Sequence, residues 1–70
     1  MFVIHAYAKQ ELAMLYFPTA TPHTAVNHLT SWINRCTPLA AALQDIGYRK
    51  TAKYYTSREV EQIVYFLGEP

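Results

Sequence analysis

The stretch from Lys9 to Ile33 limits this chain's options more than any other, because it reads as two helices folded back on each other across a short turn. The first piece is Lys9-Gln10-Glu11-Leu12-Ala13-Met14-Leu15-Tyr16, which is expected to bury Leu12, Leu15 and Tyr16 or their neighbours. Its cap is poor, since Ala8 stands where Ser or Asp would serve, and Phe17-Pro18 ends it. The second piece starts well. Thr21 is a good N-cap, and Pro22 at the first helical position gives up no hydrogen bond that a helix needs. Ala25/Val26, Leu29, Trp32/Ile33 and Cys36 then recur every three or four residues, the spacing of a core-facing stripe. The opposite side carries His23, Thr24, Asn27, His28, Ser31, Asn34 and Arg35. A short helix, a turn and a second helix with a polar outer face are the minimum equipment of a helix-turn-helix reader of DNA.

The remaining segments complete a small helical domain. Thr37-Pro38 repeats the capping device and predicts a third helix over 38–46, with Leu39, Ala42, Leu43 and Ile46 inward and Gly47 closing it. Thr56-Ser57-Arg58-Glu59 is a capping box, so a fourth helix follows with Val60, Ile63, Val64 and Leu67 inward and Gly68 at its end. Ahead of the first helix, Phe2-Val3-Ile4-His5-Ala6-Tyr7 is rich in strand formers and reads as a short strand or extended arm, with Phe2 and Ile4 on one face. Between the third and fourth helices, Tyr48, Tyr54 and Tyr55 favour extended backbone, and Lys50-Thr51-Ala52-Lys53 has the makings of a turn between two short arms. The expected fold is therefore mainly α: four short helices, helix-turn-helix-like, with an N-terminal strand or arm and room for a β-wing before the last helix. All of residues 1–70 belong to one domain.

Seventy residues bury only about 60% of the unfolded chain's surface, so the stability margin is thin. Against this, 51% of the residues are hydrophobic and only two are glycine, which argues against disorder. Cys36 is the only cysteine, so no intramolecular disulfide or multi-cysteine zinc site can form; it reads as a core filler on the second helix's stripe. A lone free thiol, the absence of a basic leader before Phe2-Val3-Ile4, and the lack of any apolar run near the roughly 20 residues of a membrane span predict a cytoplasmic protein with no membrane partner. Net charge is +1, a weak overall field, but Arg49, Lys50, Lys53 and Arg58 lie within residues 48–58 with no acid before Arg58.

The run Glu11-Leu12-Ala13-x-x-Tyr16, Thr24-Ala25-x-x-x-Leu29-x-x-Trp32-Ile33, Leu43-x-x-x-Gly47-Tyr48, Thr56-x-x-x-Val60-x-x-Ile63 and the closing Leu67-Gly68-Glu69-Pro70 resembles a family of short uncharacterised bacterial proteins, common in gut anaerobes and their mobile elements. That family is a domain of unknown function, so the resemblance implies no site. A looser likeness is to regulators of the MerR and excisionase type. Glu11-Leu12-Ala13, Thr24-Ala25, Tyr48-Arg49 and Tyr55-Thr56-Ser57 look like their first-helix signature, their reading helix and their basic wing. The turn Phe17-Pro18-Thr19-Ala20-Thr21 departs from that pattern, being longer and free of glycine, and the helix over 38–46 is an addition.

Nothing in the sequence has the form of a catalytic site. Asp45 is the only aspartate, and Glu11, Glu59, Glu61 and Glu69 stand near helix ends, where acids suit the helix dipole at an N-terminus. His23 and His28 are five positions apart, about 140° around a helix, and so do not pair at metal-ligand spacing. Both glycines are helix stops, which leaves no phosphate loop. The prediction is a non-enzyme with no cofactor, no metal and no small-molecule substrate. The outer side of the second helix lacks the Glu/Lys pairs of an ordinary solvated face. It offers hydroxyls, an amide and imidazoles, which suit phosphates and base edges. The DNA-binding set is accordingly His23, Thr24, Asn27, His28, Ser31 and Arg35 on the helix, with Arg49, Lys50, Lys53 and Arg58 toward the backbone and Tyr48, Tyr54 and Tyr55 bracing the basic segment on the core. Helix 22–35 paired with 38–46 is a second candidate reading frame. With about four neutralised phosphates the salt slope would be near −3.6 per monomer, so a specific regulator would need to pair as a homodimer. The alternative from another class is a protein–protein interaction module, a homodimer or an accessory to a larger complex, with exposed aromatics such as Phe2, Tyr7, Phe17 and Tyr65 forming the contact.

Overall fold

The computed structural model describes residues 2–49 and 51–70. In chain order it contains β1 (Tyr7–Ala8), α1 (Lys9–Tyr16), α2 (Pro22–Arg35), α3 (Thr37–Asp45), β2 (Tyr54–Tyr55) and α4 (Ser57–Leu67). Four short helices with a minor two-stranded element are the predicted class.

The helix starts follow local chemistry. Thr21 Oγ1 accepts from the Thr24 amide at 3.4 Å, and Pro22 opens α2. At α4 the capping box is complete: the Glu59 amide donates to Thr56 Oγ1 at 3.3 Å, and the Thr56 amide donates to Glu59 Oε1 at 2.8 Å. The expected cap at Thr37 is corrected. Thr37 lies inside α3, and Cys36 takes the N-cap position without a side-chain bond. The reason is spacing. Cys36 donates its amide to the carbonyls of Trp32 and Ile33 and accepts from the Ala40 amide, so it ends α2 and begins α3 at once. At the other end of α3, Gly47 adopts φ +86°. The Tyr48 amide then reaches back to the Leu43 carbonyl (3.0 Å) and the Gly47 amide to the Gln44 carbonyl (3.1 Å), a Schellman closure.

The strands differ from expectation. Phe2–Ala6 is not strand; the Tyr7 ring stacks on Phe2 and His5, and its hydroxyl donates to the Val3 carbonyl at 2.7 Å. The two arms expected within 48–55 do not pair with one another. Instead β2 pairs antiparallel with β1, Tyr7 opposite Tyr55 and Ala8 opposite Tyr54, and the Lys9 amide extends the ladder to the Lys53 carbonyl at 2.9 Å.

The core gathers Leu12 and Ala13 of α1, Ala25, Leu29 and Ile33 of α2, Leu39 and Leu43 of α3, and Val60 and Ile63 of α4, with Tyr7 and Tyr55 closing it from the strands. The helices α1 and α2 share the most extensive packing, and α3 bridges α2 to α4. Three core assignments fail. Leu15 is 45% exposed because α1 turns Ala13, not Leu15, inward; the small side chain lets α2 approach closely. Trp32 is 41% exposed, since it stands about 60° off the stripe's centre and packs by one side against Phe17 and Tyr16. Ile46 is likewise at the surface, and Cys36 is half-buried. Among the described residues no helix is long and apolar enough to cross a membrane.

Candidate functional site

Every proposed contact residue on α2 is exposed: His23, Thr24, Asn27, His28, Ser31 and Arg35. They do not make one face. With Ala25, Leu29 and Ile33 buried and about 100° per residue, Thr24, Asn27 and Ser31 lie along the outermost strip. His23 falls on one shoulder with Val26, while His28 and Arg35 fall on the other. An aromatic group occupies the second shoulder, where the Phe17 ring lies 5.3 Å from His28 and 4.7 Å from Trp32. The Thr24 hydroxyl accepts from Thr21 Oγ1 at 2.9 Å, so the cap already engages it.

The basic segment is held by a residue that the sequence reading did not single out. Lys9 extends its ammonium to the Arg49 carbonyl (3.3 Å) and the Tyr48 hydroxyl (3.3 Å), and it stands over the rings of Tyr48 (4.8 Å) and Tyr55 (5.4 Å). A signal was present: a cation at a helix's first position opposes the macrodipole, which suggests that it is needed for something else. The Ala52 amide donates back to the Arg49 carbonyl at 3.3 Å. Tyr48 and Tyr55 brace the segment as expected, stacked with centroids 6.1 Å apart. Tyr54 does not. It is 65% exposed, because neighbouring positions in a strand face opposite ways and Tyr55 takes the inward one. Burial, followed by the neighbouring Tyr48 phenol and then the Glu59 carboxylate, pushes the Tyr55 phenol well above the ordinary tyrosine range. Lys50 lies outside the described residues.

These elements enclose a groove of about 460 Å³. Ala8, Lys9 and Gln10 form its wall from the start of α1, His23 and Val26 from α2, and Ala52, Lys53 and Tyr54 from the basic segment. Of the ten predicted contact residues, the groove therefore joins His23 and Lys53. No acid is among its described lining residues. Arg49 is exposed at the segment's far end, its carbonyl tied to Lys9. Arg58 stands apart. It occupies the second position of α4, roughly 140–160° around that helix from the buried Val60 and Ile63, on the pole that also carries Tyr65. Lys53, Gln10 and Tyr54 supply donors, and His23 supplies an imidazole, a set suited to an anionic polar ligand. Among the described residues no group of three His, Cys, Asp or Glu side chains is arranged to hold a metal.

The surface aromatics expected for an interaction module are only partly outside. Tyr65 is 78% exposed, Phe2 and Phe17 are half-buried, and Tyr7 is buried beneath Phe2 and His5.

The model of one family, the domain of unknown function DUF4248, matches residues 3–70, and the chain belongs to that family. No curated protein and no solved structure matches it.

Proposed function

We propose that the chain is a small non-catalytic DNA-binding domain of helix-turn-helix-like type, working in a bacterial cytoplasm. The outer strip of α2, with Thr24, Asn27 and Ser31, faces the duplex, and His23, His28 and Arg35 flank it. Arg49 and Lys53 meet phosphates beside it. Arg58, which does not line the groove, is left out of this contact. The observation that carries the reading is the acid-free groove in which Lys53 and His23 meet alongside an α2 face without glutamate or lysine.

The test is fluorescence anisotropy with random duplex DNA across a salt series. Binding is expected at low salt. Arg49→Ala combined with Lys53→Ala should weaken it and reduce the slope of log K against log salt by about 1.8, at roughly 0.9 per lost phosphate contact. No binding up to about 100 µM, or binding unchanged by the double substitution, overturns the reading.

A second reading, a module that associates with itself, is favoured by an apolar edge. Val3 (61% exposed) and Leu15 line one cleft with Phe2 and Pro70. The two readings are compatible, because pairing of two copies through this edge would double the number of phosphate contacts and the salt slope with it.

A further inference from the structure

The geometry points to the groove between α1, α2 and the basic segment as a site for a single unpaired nucleotide, its base stacked on Tyr54 and its phosphate on Lys53. This assignment deepens the nucleic-acid reading and rests on it for the class of ligand. Its own support is Tyr54. Each of the other five tyrosines has a ring partner: Tyr7 with Phe2, Tyr16 with Trp32, Tyr48 with Tyr55, and Tyr65 with Phe66. Tyr54 has none among the described residues, is largely exposed, and pairs across the ladder with Ala8, whose methyl leaves the ring uncovered. Such a ring offers a face to any base, and stacking of this kind does not depend on sequence.

The groups around it are also unengaged. Among the described residues the Lys53 ammonium has no hydrogen bond or ion pair, and neither does the Gln10 amide or the His23 ring. Lys53 lines the same groove as Tyr54, so a cation and a free aromatic face are both open to one ligand there. Gln10 can both donate and accept at a base edge. A groove of about 460 Å³ falls within the usual range of small-ligand sites, roughly 300–1,000 Å³. It suits one nucleotide. The ligand chemistry, a flat heterocycle joined to a phosphate, could come from a free nucleotide or from a single strand.

Labelled 12-nucleotide oligo-dT, an abasic 12-mer with the same phosphates, a 12-base-pair duplex and free thymidine monophosphate are compared by anisotropy and competition at low salt. Oligo-dT is expected to bind at least about 5-fold tighter than the abasic strand, the lower end of one base–aromatic stack. Tyr54→Leu should erase that difference, Tyr54→Phe should keep it, and circular dichroism should show both variants folded. Competition by thymidine monophosphate assigns the site to free nucleotide, and competition by oligomer alone assigns it to single strands. Equal binding of the abasic and dT strands, or a Tyr54→Leu variant that keeps the preference, overturns the assignment even where duplex binding survives. Duplex binding that is absent while oligo-dT binds through Tyr54 removes the helix-turn-helix reading and leaves this one standing.

Discussion

Replacing Tyr55 by phenylalanine should make this protein more stable, against the usual outcome for a buried tyrosine. The side chain is fully buried, and its hydroxyl has no hydrogen-bond partner among the described residues. A hydroxyl taken from water without a replacement bond costs about 1–3 kcal/mol in proteins. Deleting it leaves a space of on the order of 15 Å³, which at about 24 cal/mol per Å³ costs roughly 0.4 kcal/mol. The stacking on Tyr48 and the cation above the ring are retained by phenylalanine. The net gain is about 1–2 kcal/mol, which for a domain of this size raises Tm by roughly 5–10 °C. Urea unfolding of both proteins measures it, provided the m-values agree. The variant should also resist alkali better. The folded phenol titrates above its unfolded value, so its contribution to stability is whole below pH 10 and declines as pH rises past it. A loss of more than about 0.5 kcal/mol in Tyr55→Phe at neutral pH would refute the argument by showing that the hydroxyl makes a bond worth keeping.

Two further outcomes follow from the same geometry. Thr56→Ala removes one half of the capping box and leaves the Glu59 amide without its acceptor; urea midpoints should fall by about 1–2 kcal/mol, whereas Thr37→Ala, which breaks no cap, should cost well under half of that. Tyr16 is raised to about 12, first by burial and second by Glu69, so its share of stability is present below pH 10 and lost as pH rises toward 12; in Tyr16→Phe that part of the alkaline decline disappears, while the lost bond to the Gly68 carbonyl (2.5 Å) costs about 1 kcal/mol at neutral pH, both read from pH-dependent thermal melts.

What could be foreseen from the residues was governed by how local the cause is. The starts of α2 and α4 follow from Thr21-Pro22 and Thr56-x-x-Glu59, contacts made within one turn, and both form as expected. The ladder joining Tyr7 to Tyr55 was out of reach, because a two-residue strand carries no periodicity and its partner lies far along the chain. For the same reason the groove could not be seen: it needs α1, α2 and the basic segment to be placed first. Leu15 was misassigned because α1 has apolar side chains at five consecutive positions, 12 to 16, and eight residues are too few for spacing to select a face. Trp32 shows the opposite limit. Its spacing puts it on the stripe with Leu29 and Ile33, but it stands at the margin, where so large a ring is covered on one side only. His23 and Lys53 both line the groove, as expected of residues that share a ligand; Arg58 does not, because its place on the outer side of α4 is fixed by Val60 and Ile63 facing the core.

Cys36 is the only residue between two rigid rods, and its φ of −91° and ψ of 88° set the elbow between them. A push on the outer side of α2 is passed to α3, whose Leu39 and Leu43 are buried in the core and which packs in turn on α4. Contact made at one surface should thus be felt as a change of amide exchange in α4, on the opposite arm of the lever.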